Sequence, residues 1–227
     1  MQANRPRVLI ADDHAMFAEA LRLFLEKSYT VLGTVSDGRA LMSATMKLNP
    51  DLIVLDVAMP LLNGFDAARR LREQFPKLKL VFVTMHEDPN LAAAAMELGS
   101  IGFVLKHSAG SELLRAIERV LQGFSYVTPR LKADHWLNKQ RAQQFFRQLN
   151  ERQREVVQLC AEGHSIKEIA WQLHLSEKTV EFHKRQIMQA HNLKSNADLV
   201  LFALDQGLIM RNTKPRFAGT PSGLPLH

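Results

Sequence analysis

Leu52-Ile53-Val54-Leu55-Asp56 decides how the first half of this chain is read. Four consecutive apolar residues followed at once by a carboxylate are short for a helix and too continuous for a half-exposed strand. Such a run fits a parallel strand covered on both faces, whose carboxyl end presents a polar group at the sheet edge. The pattern recurs. Val8-Leu9-Ile10-Ala11 leads into Asp12 and Asp13, Leu80-Val81-Phe82-Val83 into Thr84, and Gly102-Phe103-Val104-Leu105 into Lys106, while residues 31–35 form a fifth run. Helical patterns cover residues 16–25, 40–48, 65–75, 91–98 and 113–121. Five βα units predict an open α/β fold with a five-stranded parallel sheet and ligands at the carboxyl ends of the strands.

Those ends share one edge, so Asp12, Asp13, Asp56, Thr84 and Lys106 can converge. Three carboxylates together call for a counter-charge, and a hard divalent cation such as Mg²⁺ supplies it. A lysine and a hydroxyl beside such an ion suit a phosphoryl group, with a carboxylate as nucleophile. Singly, each residue has a plainer reading. An aspartate after a strand caps a helix or forms a turn, a lysine there is solvated, and a threonine is a strand former. The conjunction carries the weight, because five polar residues fall at strand ends in one order.

Ala11-Asp12-Asp13-His14, Leu55-Asp56-Val57-Ala58-Met59-Pro60 with Gly64, Val83-Thr84-Met85 and Gly102-Phe103-Val104-Leu105-Lys106 resemble the response-regulator receiver family over about residues 6–123. The resemblance implies a flavodoxin-like sheet and phosphorylation of Asp56 by a sensor histidine kinase. It implies Mg²⁺ on Asp13 and Asp56 with Asp12 assisting, and Thr84 and Lys106 contacting the phosphoryl group. Phe103 matches the switch aromatic that swings inward on activation, although on residues alone it reads as a core strand residue. Three positions depart from the pattern. Ala58 offers the metal only its backbone carbonyl, Met85 is bulky beside the site, and His107 stands where many receivers carry proline. Met85 and His86 are candidates to alter the rate of dephosphorylation.

The chain has 227 residues, 46% hydrophobic and 23% charged, which is ordinary for a globular protein. No apolar run is long enough for a membrane span, and no signal-peptide core opens the chain, which predicts a cytoplasmic protein away from membranes. The single cysteine, Cys160, rules out an internal disulfide and reads as a plain buried thiol. The net charge of +6 is uneven. Residues 1–123 hold 14 basic and 14 acidic side chains. Of the 29 and 23 in the chain, 15 and 9 are left for residues 124–227, and with them the whole excess. A basic half points to a polyanion, most often nucleic acid.

That half lacks strand-like runs. Helical patterns cover residues 150–162, 166–173, 177–191 and 196–206. Ser165 with Glu168 and Ser195 with Asp198 have capping-box spacing, Ser176 fits a third N-cap, and Gly163 and Gly207 stand where helices should stop. Residues 165–170 and 175–183 look like a helix-turn-helix. Its second helix carries Lys178, Glu181, Lys184 and Arg185 as polar groups and Val180 and Ile187 as apolar ones, so one face can be buried while the other enters a major groove. A small bundle with a solvated basic face is the alternative.

Leu149-Asn150-Glu151-Arg152-Gln153-Arg154-Glu155-Val156, Ala161-Glu162-Gly163, Lys167-Glu168-Ile169-Ala170, Leu175-Ser176 and Thr179-Val180-Glu181-Phe182-His183 resemble the four-helix LuxR/NarL-type domain over residues 149–210. The resemblance implies double-stranded DNA as partner and makes Lys178, Thr179, Glu181, Phe182, Arg185 and Gln186 the DNA-facing set. His183 is open between phosphate contact and support of the fold, and Lys184 is expected on phosphates. Asn150 stands where Thr or Ser is usual, and Glu181 stands where a lysine often faces DNA.

The expected organisation is a receiver at 1–123, a linker at 124–148, an all-α four-helix helix-turn-helix domain at 149–212 and a disordered tail at 213–227. The linker is expected to be ordered and partly helical, with Leu137, Phe145 and Leu149 on one face. The expected function is phosphorylation-controlled DNA binding in a two-component system, with homodimerisation on phosphorylation and no enzyme activity of its own. Two other readings compete with this one. An aspartyl-phosphate hydrolase usually has a second aspartate two residues after the nucleophile, where this chain has Ala58. A receiver serving only as a dimerisation module would not need the full acidic set with Thr84 and Lys106.

Overall fold

The computed structural model describes residues 5–99, 101–131 and 149–209. Two compact units divide at residue 152.

The first unit is a parallel sheet in the order β2-β1-β3-β4-β5-β6. Its strands are β1 (Arg7–Ala11), β2 (Thr30–Val35), β3 (Leu52–Asp56), β4 (Lys79–Thr84), β5 (Ile101–Leu105) and β6 (Tyr126–Val127). The helices are α1 (Ala15–Leu25), α2 (Gly38–Leu48), α3 (Gly64–Gln74), α4 (Pro89–Met96) and α5 (Ala109–Leu121), with a short 3₁₀ turn at Lys106–Ser108. The first five strands have the flavodoxin-like order, which reverses between β1 and β3 and opens a crevice at their carboxyl ends.

The expected five-stranded sheet is corrected to six strands. Tyr126 and Val127 pair in parallel with Gly102 and Phe103. They lie in the segment expected to be linker. Two residues are too few to produce a readable period, so a strand this short leaves no signal of its own in the sequence.

Burial explains why the other strands were legible. Every residue of β3 and β5 is buried, as are the last four of β1, whereas β2, at the edge, is only partly covered. Val8, Ile10, Val54, Val81, Val83 and Val104 pack with Leu21 and Leu25 of α1 and Leu113, Ile117 and Val120 of α5 in one cluster. Phe82 and Phe103 alternate with members of that cluster and so face the other side of the sheet. There Phe82 lies between Phe65 and Phe103, with ring centroids 5.0 and 6.4 Å away. Asp37, Asn63 and Asp88 cap α2, α3 and α4 by accepting backbone N–H bonds.

The second unit contains α7 (Ile166–Leu173), α8 (Glu177–Ala190) and α9 (Asn196–Asp205), with α6 (Glu151–Ala161) straddling the division. Ser165 and Glu168 form a reciprocal capping box, as do Ser195 and Asp198, and Ser176 accepts from Thr179 N–H. Gly163 and Gly207 both take positive φ, the left-handed conformation that ends helices at little steric cost. Val156, Val157, Leu159, Ile169, Leu173, Val180, Ile187, Leu199 and Ala203 are buried. No helix among the described residues is long and apolar enough to cross a membrane. Leu149 is buried, whereas Leu137, Phe145 and the tail lie outside the described residues.

Candidate phosphoacceptor site and nucleic-acid interface

The carboxyl edge of the sheet gathers the acidic set. Asp12 and Asp56 are each 2% exposed and Lys106 is 7% exposed. Lys106 Nζ lies 2.7 Å from Asp56 Oδ2 and 2.7 Å from Asp12 Oδ2, with the Phe17 ring centroid 4.8 Å away. Both carboxylates divide their oxygens in the same way. Asp12 Oδ1 accepts from His14 N–H at 2.9 Å, and Asp56 Oδ1 accepts from Ala58 N–H at 3.1 Å. The turn-forming reading of an aspartate after a strand therefore holds for one oxygen of each, while the other oxygen faces the lysine.

Burial pushes the Asp56 carboxyl well above the usual carboxylate range, with the charge of Asp12 adding to the rise and Lys106 opposing it. Asp13 is raised as well, first by burial, against the lowering pull of His14. A buried carboxylate with a raised proton affinity needs positive charge to stay ionised. Asp12 Oδ2 is fully buried, with Lys106 Nζ 2.7 Å away as its charged neighbour. One ligand atom from each of Asp12, Asp13, His14 and Asp56 falls within 4.8 Å of the others. Convergence of three carboxylates on one buried ammonium leaves excess negative charge, which fits a hard divalent cation.

Gly64 explains how α3 comes so close to the site. A Cβ there would lie 2.2 Å from the Asp56 carbonyl oxygen, and Gly64 N–H bonds Val57 O at 3.0 Å. Only glycine permits that approach.

Thr84 ends β4, paired in register with Leu105 next to Lys106. It is fully buried, and its hydroxyl accepts from His86 N–H at 3.1 Å, leaving the hydroxyl proton to donate. Phe103 is fully buried against Phe82 rather than at the surface. The Lys106–His107 bond is trans. His14 was not singled out from the sequence, yet its Nδ1 lies 2.8 Å from Asp13 Oδ1 and 3.8 Å from Asp56 Oδ2. The signal was its place directly after the aspartate pair. Phe17 beneath Lys106 had no comparable signal, because its helical spacing matched an ordinary core position.

In the second unit, α7 and α8 flank the turn made by His174, Leu175 and Ser176, with His174 left-handed at φ 54°. Val180 and Ile187 are buried, and Lys178, Glu181, Phe182, Arg185 and Gln186 are exposed. Thr179, His183 and Lys184 are half-buried at the flanks. His183 Nδ1 is buried without a hydrogen-bond partner. Glu181 and Arg185, one helical turn apart, are both exposed on this face. Gln189, also exposed, extends the same face one turn beyond Arg185, a position that helical spacing alone would have found. Cys160, partly buried, has its thiol pushed up to about 11, chiefly by burial, in line with an inert thiol.

A flavodoxin-like sheet with buried carboxylates and a lysine at its carboxyl edge, followed by a capped helix-turn-helix, defines a class of two-part regulator. Residues 8–118 match the response regulator receiver domain, and residues 147–203 match the bacterial regulatory proteins of the luxR family. The chain is similar to the oxygen regulatory protein NreC of Staphylococcus carnosus, 32% identical over 214 residues that span 89% of this chain and 99% of the relative. A putative transcriptional regulator of Pseudomonas aeruginosa is 34% identical over 205 residues, covering 89% and 99%. Among solved structures, RcsB of Salmonella typhimurium superposes with a TM-score of 0.63 at 27% identity, covering 90% of this chain and 99% of that one. RcsB from Salmonella enterica serovar Typhimurium bound to promoter rprA in the presence of the phosphomimetic BeF3⁻ gives a TM-score of 0.58 at 28% identity, covering 87% and 98%. This chain belongs to the response regulators with a receiver domain and a LuxR-type DNA-binding domain. It is a DNA-binding transcription regulator rather than an enzyme.

Proposed function

We propose that Asp56 is the phosphoacceptor and that its phosphorylation raises the affinity of the second unit for promoter DNA. The observation that carries this reading is the buried Asp56 carboxylate held 2.7 Å from Lys106 Nζ, at a sheet edge shared with Asp12 and Asp13. A carboxylate oxygen attacks the phosphorus of a phosphohistidine on a sensor kinase, an acyl–phosphate bond forms, the phosphorus–nitrogen bond breaks, and the imidazole leaves. Lys106 stays at the strand end and neutralises a phosphoryl oxygen. Thr84 donates its hydroxyl proton to another, and its movement toward the phosphate lets Phe103, the switch aromatic, settle in its inward position. Asp13 and Asp56, with Asp12 and the Ala58 carbonyl, would hold Mg²⁺, which would supply positive charge to the transferred group.

On DNA, Arg185 and Glu181 read base edges, Phe182, Thr179 and Gln186 line the same face, and Lys178 and Lys184 contact phosphates. His183, half-buried at the flank of that face, contacts phosphate or supports the fold. The protein works in the cytoplasm, where its DNA is, as a homodimer when phosphorylated. The receiver spans residues 1–123 and is completed by β6. The linker runs to 148, the DNA-binding domain covers 149–212, and 213–227 form a tail.

Intact-mass analysis after incubation with acetyl phosphate and Mg²⁺ tests the acceptor. One phosphoryl group on the unsubstituted chain and none on Asp56→Asn is expected. Full labelling of the variant would place the chemistry elsewhere.

A further inference from the structure

The residues just after β6 grip both loops that flank the phosphoacceptor site. Thr128, 2% exposed, donates its N–H to Phe103 O at 2.9 Å. Its hydroxyl accepts from Leu105 N–H at 3.3 Å and donates to Glu112 Oε2 at 2.8 Å. The Tyr126 hydroxyl donates to that same carboxylate oxygen at 3.0 Å. These bonds bracket Val104 and end one residue before Lys106. Two residues further on, Arg130 Nη2 lies 3.0 Å from Glu87 Oε2, while Glu87 Oε1 is 3.7 Å from His107 Nε2. Glu87 sits in the loop after Thr84, and His107 follows Lys106. Leu131, buried, closes the turn with its N–H on Thr128 O.

Glu87, His107 and Arg130 are all substantially exposed, and exposed ion pairs contribute little to stability. What distinguishes this pair is its connectivity. It ties the segment leading out of the receiver to the loop that follows Thr84, while Thr128 ties the same segment to the strand that carries Phe103 and leads into Lys106. A displacement at either strand end is then felt by residues 126–131 before it reaches anything further along the chain. Coupling requires that these contacts differ between the two states of the site.

We propose that residues 126–131 form a strap that reads the Asp56 site through Glu87–Arg130 and Thr128 and passes its state into the chain that follows. This rests on Asp56 being the phosphoacceptor. Thr128 and Arg130 act as positioning residues and do not touch the phosphoryl group.

The test uses the full chain with beryllofluoride and Mg²⁺. Bound beryllofluoride is read by ¹⁹F NMR, and affinity for a selected DNA site is read by fluorescence anisotropy with and without it. Glu87→Arg and Arg130→Glu should each keep the bound ¹⁹F resonance and lose about fivefold of the beryllofluoride-induced gain in affinity, and the double reversal should regain it. Thr128→Val should uncouple in the same way, and Thr128→Ser should not. A purely structural role would change thermal stability without changing the gain. Single reversals with the full gain, or a double reversal that stays uncoupled, would overturn the strap while leaving the acceptor assignment intact. Absence of a bound resonance in the unsubstituted chain would overturn both.

Discussion

Asp56 is held where a negative charge is costly. Its carboxyl is raised above the ordinary range by burial and by Asp12, so the native state binds its proton more tightly than the unfolded chain does. Native stability therefore falls as pH rises from the ordinary carboxylate range through the raised value, and the loss is complete above it. Asparagine does not titrate. In metal-free buffer Asp56→Asn should be more stable than the unsubstituted chain by about 1–3 kcal/mol at pH 8, with the difference shrinking toward pH 4. Urea denaturation across that range checks it, and a difference that grows on acidification would contradict the stated cause. Leu61, at φ 67° in the loop between β3 and α3, is a bulky residue in the left-handed region. That conformation costs about 1–2 kcal/mol for a residue with a Cβ. Leu61→Asn should raise stability by up to about 1 kcal/mol, and lower stability in the same assay would show that its packing outweighs the strain. At this scale the sequence revealed Asp12, Asp13, Asp56 and Lys106, because each ends a strand-like run. It did not reveal the conformation of Leu61 or the contacts of Thr128, which depend on distant backbone and leave no local pattern.

The helices were legible by their boundaries. Ser165, Ser176 and Ser195 each cap the helix that their spacing announced, and α7 has the predicted limits. Strand β6 was not legible, since two residues carry no period and its partner β5 is more than 20 residues away. On α8 the structure separates residues that the sequence had grouped. Arg185 is exposed on the face shared with Glu181, whereas Lys184 is half-buried at its flank. Arg185→Ala should cost about 1–3 kcal/mol at a selected site and relax preference at one base pair. Lys184→Ala should weaken all sequences alike and flatten the salt dependence. Site selection with each variant at several salt concentrations decides between these roles. An unchanged selected sequence and affinity for Arg185→Ala would mean that this helix does not read bases as proposed.

For the whole molecule, the uneven charge was already informative. A receiver half with no net charge precedes a half holding the entire excess of +6, which suits a control unit followed by a unit for a polyanion. Composition gives no sign of how the two communicate, because coupling resides in contacts such as Glu87–Arg130 between positions 43 residues apart. The central claim is that chemistry at Asp56 sets affinity for DNA. Its most direct test is the dissociation constant of the full chain for a selected site, measured with and without beryllofluoride and Mg²⁺, beside Asp56→Asn. The account predicts tighter binding with beryllofluoride for the unsubstituted chain and no change for the variant. Equal affinities with and without beryllofluoride in the unsubstituted chain, despite a bound ¹⁹F resonance, would contradict it.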